Sequence, residues 1–497
     1  MKKHYFTKKV LPACLLFFMT ITTNVFAQVG IGTITPNASS VLDVSSTTQG
    51  LLTPRMTTAQ RVAIVSPADG LMVYDTDLKS FYHYNSSITS WNVINSGTTG
   101  RLKFKRIKST DVLSTVLAAE KSAGNGNKYL LDATTLYEIN GTIMVDLPIE
   151  LNNAYVSGQD VNEDKLVRTS GNLFDGATGG SIRNVTIQVT GGGKVFNLSG
   201  AATQNLIFRD AIVVASSNVG SITGFGLVFV NIVQFVGNTT GIVYNTISKL
   251  LIGNAGWFSN NTGTYETLQG TFGLVQKQGG FSEVSGTSIG FDVSSNPTIT
   301  GDAVMETVVF TGALSTGKYV NGYTIGGYTG YNFNNNWNVR CAGIPTETDA
   351  TAVGEFSVDY PVGSGAATNF NTNNPSNITK VLGESASTNL FRFSTGLTNN
   401  KLVYLGKKKR FFQVTGAISF QVSNPGTYII YIAKNGAVVT QYKIYGRGTV
   451  ASDIVVLPLN ALVELTTNDY IEVYAQRFTS TVNTDIIITP NMTLVLK

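Results

Sequence analysis

Histidine and cysteine are almost missing from this 497-residue chain, with two of each, and one of each falls within the first 27 residues. Only His83 and Cys341 remain beyond that stretch. A nucleophilic triad would have a single histidine to draw on, and one cysteine closes no disulfide within the chain. A His/Cys metal cluster is excluded on the same ground, and no cofactor is expected. Charge is scarce too, at 13% of residues. Of the formal net charge of +5, four positive residues (Lys2, Lys3, Lys8 and Lys9) lie in that leading stretch. The remainder is close to neutral, which sets nucleic acid aside as a partner.

What is present starts with MKKHYFTKKVLPACLLFFMTITTNVFAQ, which has a basic start, an apolar run from Val10 to Val25 and small residues ahead of a cleavage point after Ala27. This pattern predicts a signal peptide over residues 1–27 and a product that is secreted or held at the outer cell surface. Cys14 precedes most of the apolar run and stands beside Pro12, so it fits a lipid-anchor motif poorly. No later stretch is long and apolar enough to span a bilayer.

Between Ser181 and Gly253 four segments align when cut at Asn184, Asn205, Gly226 and Lys249: NVTIQV, NLIFRD, GLVFVN and KLLIGN. A period in the low twenties is the signature of stacked coils. Offsets one and three carry Val185/Ile187, Leu206/Phe208, Leu227/Phe229 and Leu250/Ile252, the alternation by which a strand sends one face inward. The connectors are rich in Gly, Ser, Asn and Thr. Offset two holds Ile207, Val228 and Leu251, and an apolar ladder on the outer face predicts cover by further copies of the same chain. The section resembles the right-handed parallel β-helix of the pectate-lyase-like and phage tailspike families. It is expected to occupy residues 128–345, with coils from about Tyr129 to about Val309.

Residues 28–96 run from VGIGT through SSVLDV, GLLTPRMTTAQR and GLMVYDTD to FYHYN and WNV. They resemble the N-terminal module of secreted Bacteroidetes-type surface proteins and of tail-fibre shafts. That resemblance implies attachment and assembly. Leu71 to Tyr74 and Phe81 to Tyr84 read as strands around a turn at Asp75 to Lys79, and Thr57 to Ile64 as a short helix capped by a threonine. So small a unit buries little, and intertwined partner chains would supply the missing core.

Residues 97–127 are expected to be a linker with a helix at Val112 to Ala119, capped by Ser109 or Thr110 and closing the first coil. Arg101, Lys103, Lys105, Arg106 and Lys108 alternate with Leu102, Phe104 and Ile107, as on a solvated strand; an anion-binding stripe is the other reading. Residues 346–388 read as a second linker. From 389 to 497 strand patterns and turn signals at Asn424 to Gly426 and Asn435-Gly436 predict an antiparallel sandwich. It resembles the jelly-roll heads of the tumour-necrosis-factor/C1q type, in which three copies associate. The fold class is thus all-β: a parallel β-helix followed by an antiparallel sandwich, with a small N-terminal fibre-type module.

Chemistry is harder to find. A glycosidase needs two carboxyl groups at a set separation, yet the offset-five column reads Val189, Asp210, Asn231 and Asn254, which makes Asp210 a turn residue beside an asparagine ladder. Asp160, Asn162 and Asp164 imitate the start of a calcium loop, but Lys165 stands where glycine is wanted, so an exposed turn is expected and no metal site. Two stretches could hold a ligand. Tyr323, Tyr328, Tyr331 and Trp337 lie among Asn and Gly, where sugar rings could stack or where the aromatics could close the end of the β-helix. Lys407, Lys408, Lys409 and Arg410 form the strongest positive run, either a charged sheet edge or a contact for an acidic polysaccharide. The expected function is a homotrimeric, fibre-like adhesion protein that binds surface glycan without catalysis. A secreted polysaccharide lyase or glycoside hydrolase on the same scaffold is the alternative.

Overall fold

The computed structural model describes residues 28–94, 103–370, 377–396, 398, 400–480 and 484–497. The signal peptide expected over residues 1–27, with its cleavage point, lies outside them. The chain divides into two compact units, 1–100 and 101–497.

In the first unit, Val29–Ile31 pairs in parallel with Leu42–Val44, and Arg55–Met56, Met72–Asp75, Ser80–Asn85 and Ser90–Val93 make a four-stranded sheet. The helix Thr58–Val62 begins at Thr57, whose side chain and that of Gln60 cap each other's backbone amides, a reciprocal box that satisfies two orphan donors. Arg61 is buried and joins Asp75 at 3.0 Å. Burial pushes the Asp75 carboxyl up, but the amides of Leu78 and Asp77, the Arg61 guanidinium and the Thr58 hydroxyl outweigh it and hold the group at about 2.

The second unit opens with a β-solenoid of about 8 turns. Ten strands form the main path of its longest sheet, from Phe104–Lys108 to Trp337–Ala342, with nine in the facing sheet, and every pairing in these stacks is parallel. Nine steps of about 4.8 Å make the stack about 43 Å long. Asn205, Leu227 and Lys249 stand opposite one another at intervals of 22 residues. Later coils lengthen: Ala303 lies 28 residues past Val275 and Trp337 34 past Ala303. Most of the added residues go into turns, and the ladder continues with one register shift between Glu306 and Val309.

The register corrects the sequence alignment by one residue. Leu206 faces Val228 and Leu250, and Phe208 faces Val230 and Ile252. All six are buried. Val228 therefore points inward, and the outer ladder is Ile207, Phe229 and Leu251, each half-buried rather than exposed. The NVTIQV segment stacks on a later part of the same strand, Ile187 against Val213. The asparagine ladder also sits elsewhere. Asn238 and Asn261, both 1% exposed, bond to each other at 2.9 Å and to the carbonyls of Val213 and Phe235. Ser216 extends the ladder by donating its amide to Asn238 at 3.0 Å.

One apolar core runs from Ile107 to Val339. Phe235 and Trp257 stack within it at 4.0 Å, and Glu266 and Lys277 meet across it at 2.7 Å with 1% of each side chain exposed. At the N-terminal end two short helices, Leu113–Val116 and Ala118–Ala123, seat Leu113 and Leu117 in the core. Neither start has a side-chain cap, so Ser109 and Thr110 do not play that part. The shaft begins in the stretch expected to be a linker. There Lys103, Lys105 and Arg106 are paired with Asp132, Glu120 and Glu138, while Arg101 and Leu102 of the expected basic run lie outside the described residues.

A second core joins two antiparallel sheets near the C-terminus. Residues 346–388 are not a linker there: Gly354–Asp359 and Ala366–Phe370 both pair with the last strand, Asp485–Leu496. Asn435 and Gly436 take φ of 51° and 76°, the left-handed pair that a two-residue hairpin turn requires.

Candidate functional site: two clefts on the shaft and at its junction

Strands of the shaft bend where a left-handed residue recurs. Asp210, Ile232, Asn254 and Thr307 have φ of 51°, 53°, 48° and 58°, and Gly279 joins them at 66°. Asp210 is thus a corner residue, paired with its neighbour Arg209 at 2.9 Å, and it stacks with Ile232 rather than with Asn231. The bend leaves a groove of about 360 Å³, lined by Phe229, Leu251, Asn231, Asn254, Gln276 and Gln278 with Gly253, Gly279 and Thr307. A Cβ at Gly279 would lie 2.4 Å from the Asn254 side-chain oxygen, and one at Gly253 2.5 Å from that of Asn231, so glycine keeps the amides in place. Gln276 donates to Gln278 at 2.6 Å, and Thr307 accepts the Gly279 amide at 3.1 Å. The lining offers amide donors and acceptors beside an apolar strip, and it contains no carboxylate.

The second cleft lies between the last coil and the sandwich. It measures about 490 Å³, with Gly326, Gly327, Tyr328, Thr329 and Asn335 from the shaft and Ser387, Thr388, Leu390, Phe393, Ser394 and Leu405 from the head. Arg392 holds the two parts together. It is 1% exposed with φ of 59°, donates to the carbonyls of Asn335 at 2.7 Å and Glu347 at 3.2 Å, and pairs with Asp349 at 3.2 Å. Glu347 is buried and accepts the amides of Asn332 and Phe333, both at 2.8 Å. Burial raises its carboxyl above the ordinary range despite those bonds.

The aromatics expected to meet sugar are dispersed by this junction. Trp337 has 0% exposure, packs on Phe333 at 4.7 Å and donates its indole N–H to the Tyr323 hydroxyl at 3.1 Å. A ring so enclosed cannot stack on a ligand. Tyr323 in turn donates to the Pro297 carbonyl at 2.8 Å, and burial pushes its hydroxyl up to about 12. Tyr331 stacks on Phe391 of the head at 4.1 Å, and Tyr328 meets the same ring edge-on at 5.2 Å. Of the four, Tyr328 lines this cleft. The basic run is dispersed as well. Lys407 reaches Asp302 at 3.4 Å, Lys408 gives its amide to Asp349 at 2.7 Å, and Lys409 pairs with Glu464 at 3.0 Å. Arg410 bonds the Asp349 carbonyl and lies over Phe412 at 4.3 Å. The Lys407 contact ties the head to the shaft at Asp302, whereas Lys409 pairs within the head, and all three lysines stay at the surface.

Asp164 is another departure. It is buried and accepts amides from Gly141, Gln159 and Asp160. Burial pushes its carboxyl up, but those three bonds outweigh it and leave the group below the ordinary range. It fastens the expected turn, whose residues Asp160, Asn162 and Glu163 are exposed, to the preceding coil at Gly141. Among the described residues no group of three or more His, Cys, Asp or Glu is placed to hold a metal, and no helix is long and apolar enough to cross a membrane.

Residues 30–110 match the family described as the phage tail like trimerisation region. With the parallel solenoid that follows in the chain, this makes the protein a tailspike-like fibre. No curated protein matches it. Solved structures similar to it include murine APRIL at pH 8.5, at 8% identity over 29% of this chain and 98% of that one with a TM-score of 0.19. The enzymatically active domain of bacteriophage CBA120 tailspike protein 4 matches at 10% identity over 90% and 77%, with a TM-score of 0.23. ORF18 of Geobacillus virus E2 matches at 11% over 83% and 89%, with a TM-score of 0.21. Likeness this faint carries nothing further to the tailspike-like fibre.

Proposed function

We propose that the protein is an extracellular homotrimeric fibre that holds polysaccharide along the bent face of its shaft and does not cleave it. The observation that carries this reading is the lining of the shaft groove. Asn231, Asn254, Gln276 and Gln278 present paired donors and acceptors of the kind that match neighbouring sugar hydroxyls, and Phe229 and Leu251 lie beside them for the apolar face of a ring. Amides hold hydroxyl groups but supply no acid and base for glycosidic cleavage.

Trimerisation is supported from the other unit. Besides its match to the trimerisation region, Val29, Ile31, Leu42, Leu51 and Leu52 are all more than half exposed. A stretch so apolar is suited to burial between chains.

The test is retention of the full-length trimer on immobilised surface polysaccharide. Replacing both Gln276 and Gln278 by Ala removes two amides worth about 1 kcal/mol each, so retention should fall by about tenfold or more at unchanged trimer mass and melting temperature. Undiminished retention would move the site elsewhere, and release of reducing ends or unsaturated products would replace holding by cleavage.

A further inference from the structure

We infer that the cleft between the last coil and the head is a second saccharide site, separate from the shaft groove and selective for an uncharged sugar. The inference rests on the carbohydrate reading above and adds a location and a ligand class to it. A volume of about 490 Å³ falls within the roughly 300–1,000 Å³ range of small-molecule sites, and the cleft has the two surfaces a pyranose needs. Tyr328, Leu390 and Phe393 form an apolar side; the polar groups are the Ser394 hydroxyl, the Asn335 amide, whose oxygen also accepts the Tyr328 hydroxyl at 2.7 Å, and the Thr388 hydroxyl, which already donates to Glu355. No charged side chain lines it.

The ionic groups nearby in sequence are already engaged. Arg392 is buried against the carbonyls of Asn335 and Glu347 and against Asp349. The Glu355 carboxylate accepts the amides of Thr388 and Asn389 at 2.6 and 3.0 Å and the Thr388 hydroxyl at 3.0 Å. A uronate or phosphate would therefore lose water and gain no countercharge, whereas a neutral sugar exchanges water for hydroxyl and amide partners. Because one wall belongs to the shaft and the other to the head, a bound sugar bridges the two and stabilises their junction by mass action.

Saturation-transfer NMR on the full-length trimer tests this, with the methyl glycosides of glucose, galactose, mannose and N-acetylglucosamine as neutral probes and glucuronate as the charged one. At least one neutral glycoside should receive saturation and raise the melting temperature, and glucuronate should do neither. Gly327→Leu should abolish both effects. A Cβ there would meet only the Tyr323 carbonyl oxygen at 3.4 Å and the Tyr323 Cβ at 3.8 Å, ordinary contacts that let the variant fold while its side chain occupies the cleft. Ser394→Ala should weaken transfer by a few-fold.

The inference is overturned if no neutral glycoside receives saturation, if transfer survives Gly327→Leu, or if glucuronate binds equally. The double change at Gln276 and Gln278 separates the two sites: it should lower retention on polymer by about tenfold or more and leave the small-sugar signal intact. Transfer that persists when the wild-type trimer fails to retain polymer would leave the junction site standing and remove the shaft reading.

Discussion

The shaft and the N-terminal unit solve the problem of burying a β-rich chain in opposite ways. In the shaft each coil covers the next, and Leu206, Val228 and Leu250 are fully enclosed without help from another molecule. In residues 28–94 Val73 is the only enclosed aliphatic side chain, while Ile31, Leu51 and Leu52 face outward. A parallel stack carries its own core from coil to coil, whereas two short sheets without a covering layer have none to share. The difference teaches that assembly and rigidity are assigned to separate parts of one chain.

The comparison breaks first where the shaft is densest. Trp257→Ala empties the stack against Phe235 and should cost about 3–5 kcal/mol, read as a lower denaturant midpoint of the shaft transition, with the N-terminal unit unaffected. Lys277→Met leaves Glu266 charged in the core and should cost a similar ~3–5 kcal/mol. The double change with Glu266→Leu should recover most of that loss, because a buried pair replaced by apolar groups is often neutral or better. Asn261→Ala should cost about 1–3 kcal/mol, since Asn238 and two carbonyls lose their partner.

Two smaller effects sharpen the contrast from the other side. Hydrogen-exchange protection of residues 28–94 should rise with protein concentration, and that of the shaft should not, because only the former depends on other chains. Asp75 gives the N-terminal unit a pH signature. Its carboxyl is held at about 2 in the folded unit against an ordinary value of 3.8. Its contribution is therefore complete above the unfolded pKa and is lost as pH falls through the folded one. Protection of the Thr58–Val62 helix should decline between about pH 4 and pH 2, and Asp75→Asn should remove that dependence.

Much of this was legible in the chain. The Thr57 cap marked the short helix, Asn435-Gly436 marked the hairpin, and the repeat marked the parallel stack. The one-residue slip at Gly226 has a physical cause: Leu227 and Phe229 are as apolar as Val228 and Val230, so alternation did not separate the two faces. The ladder at Asn238 and Asn261 had a signal, an asparagine followed by threonine at the coil interval, but it lies past the strand that was being aligned. Tyr323 and Trp337 left two readings open, because aromatics among Asn and Gly look alike in a sugar platform and in a plug, and the plug is what forms. The junction cleft had no local signature at all, for its walls come from segments about sixty residues apart.

The lengthening of the later coils has a practical side. Between Ala303 and Trp337 the chain spends 34 residues where earlier rungs spend 22, yet Met305 still meets Val339 in register. Spare length is parked at the rim, and the ladder absorbs only a one-residue shift between Glu306 and Val309. Foreign peptide spliced into that rim would be displayed on a rigid mast, and the cost of closing a longer loop grows only with the logarithm of its length.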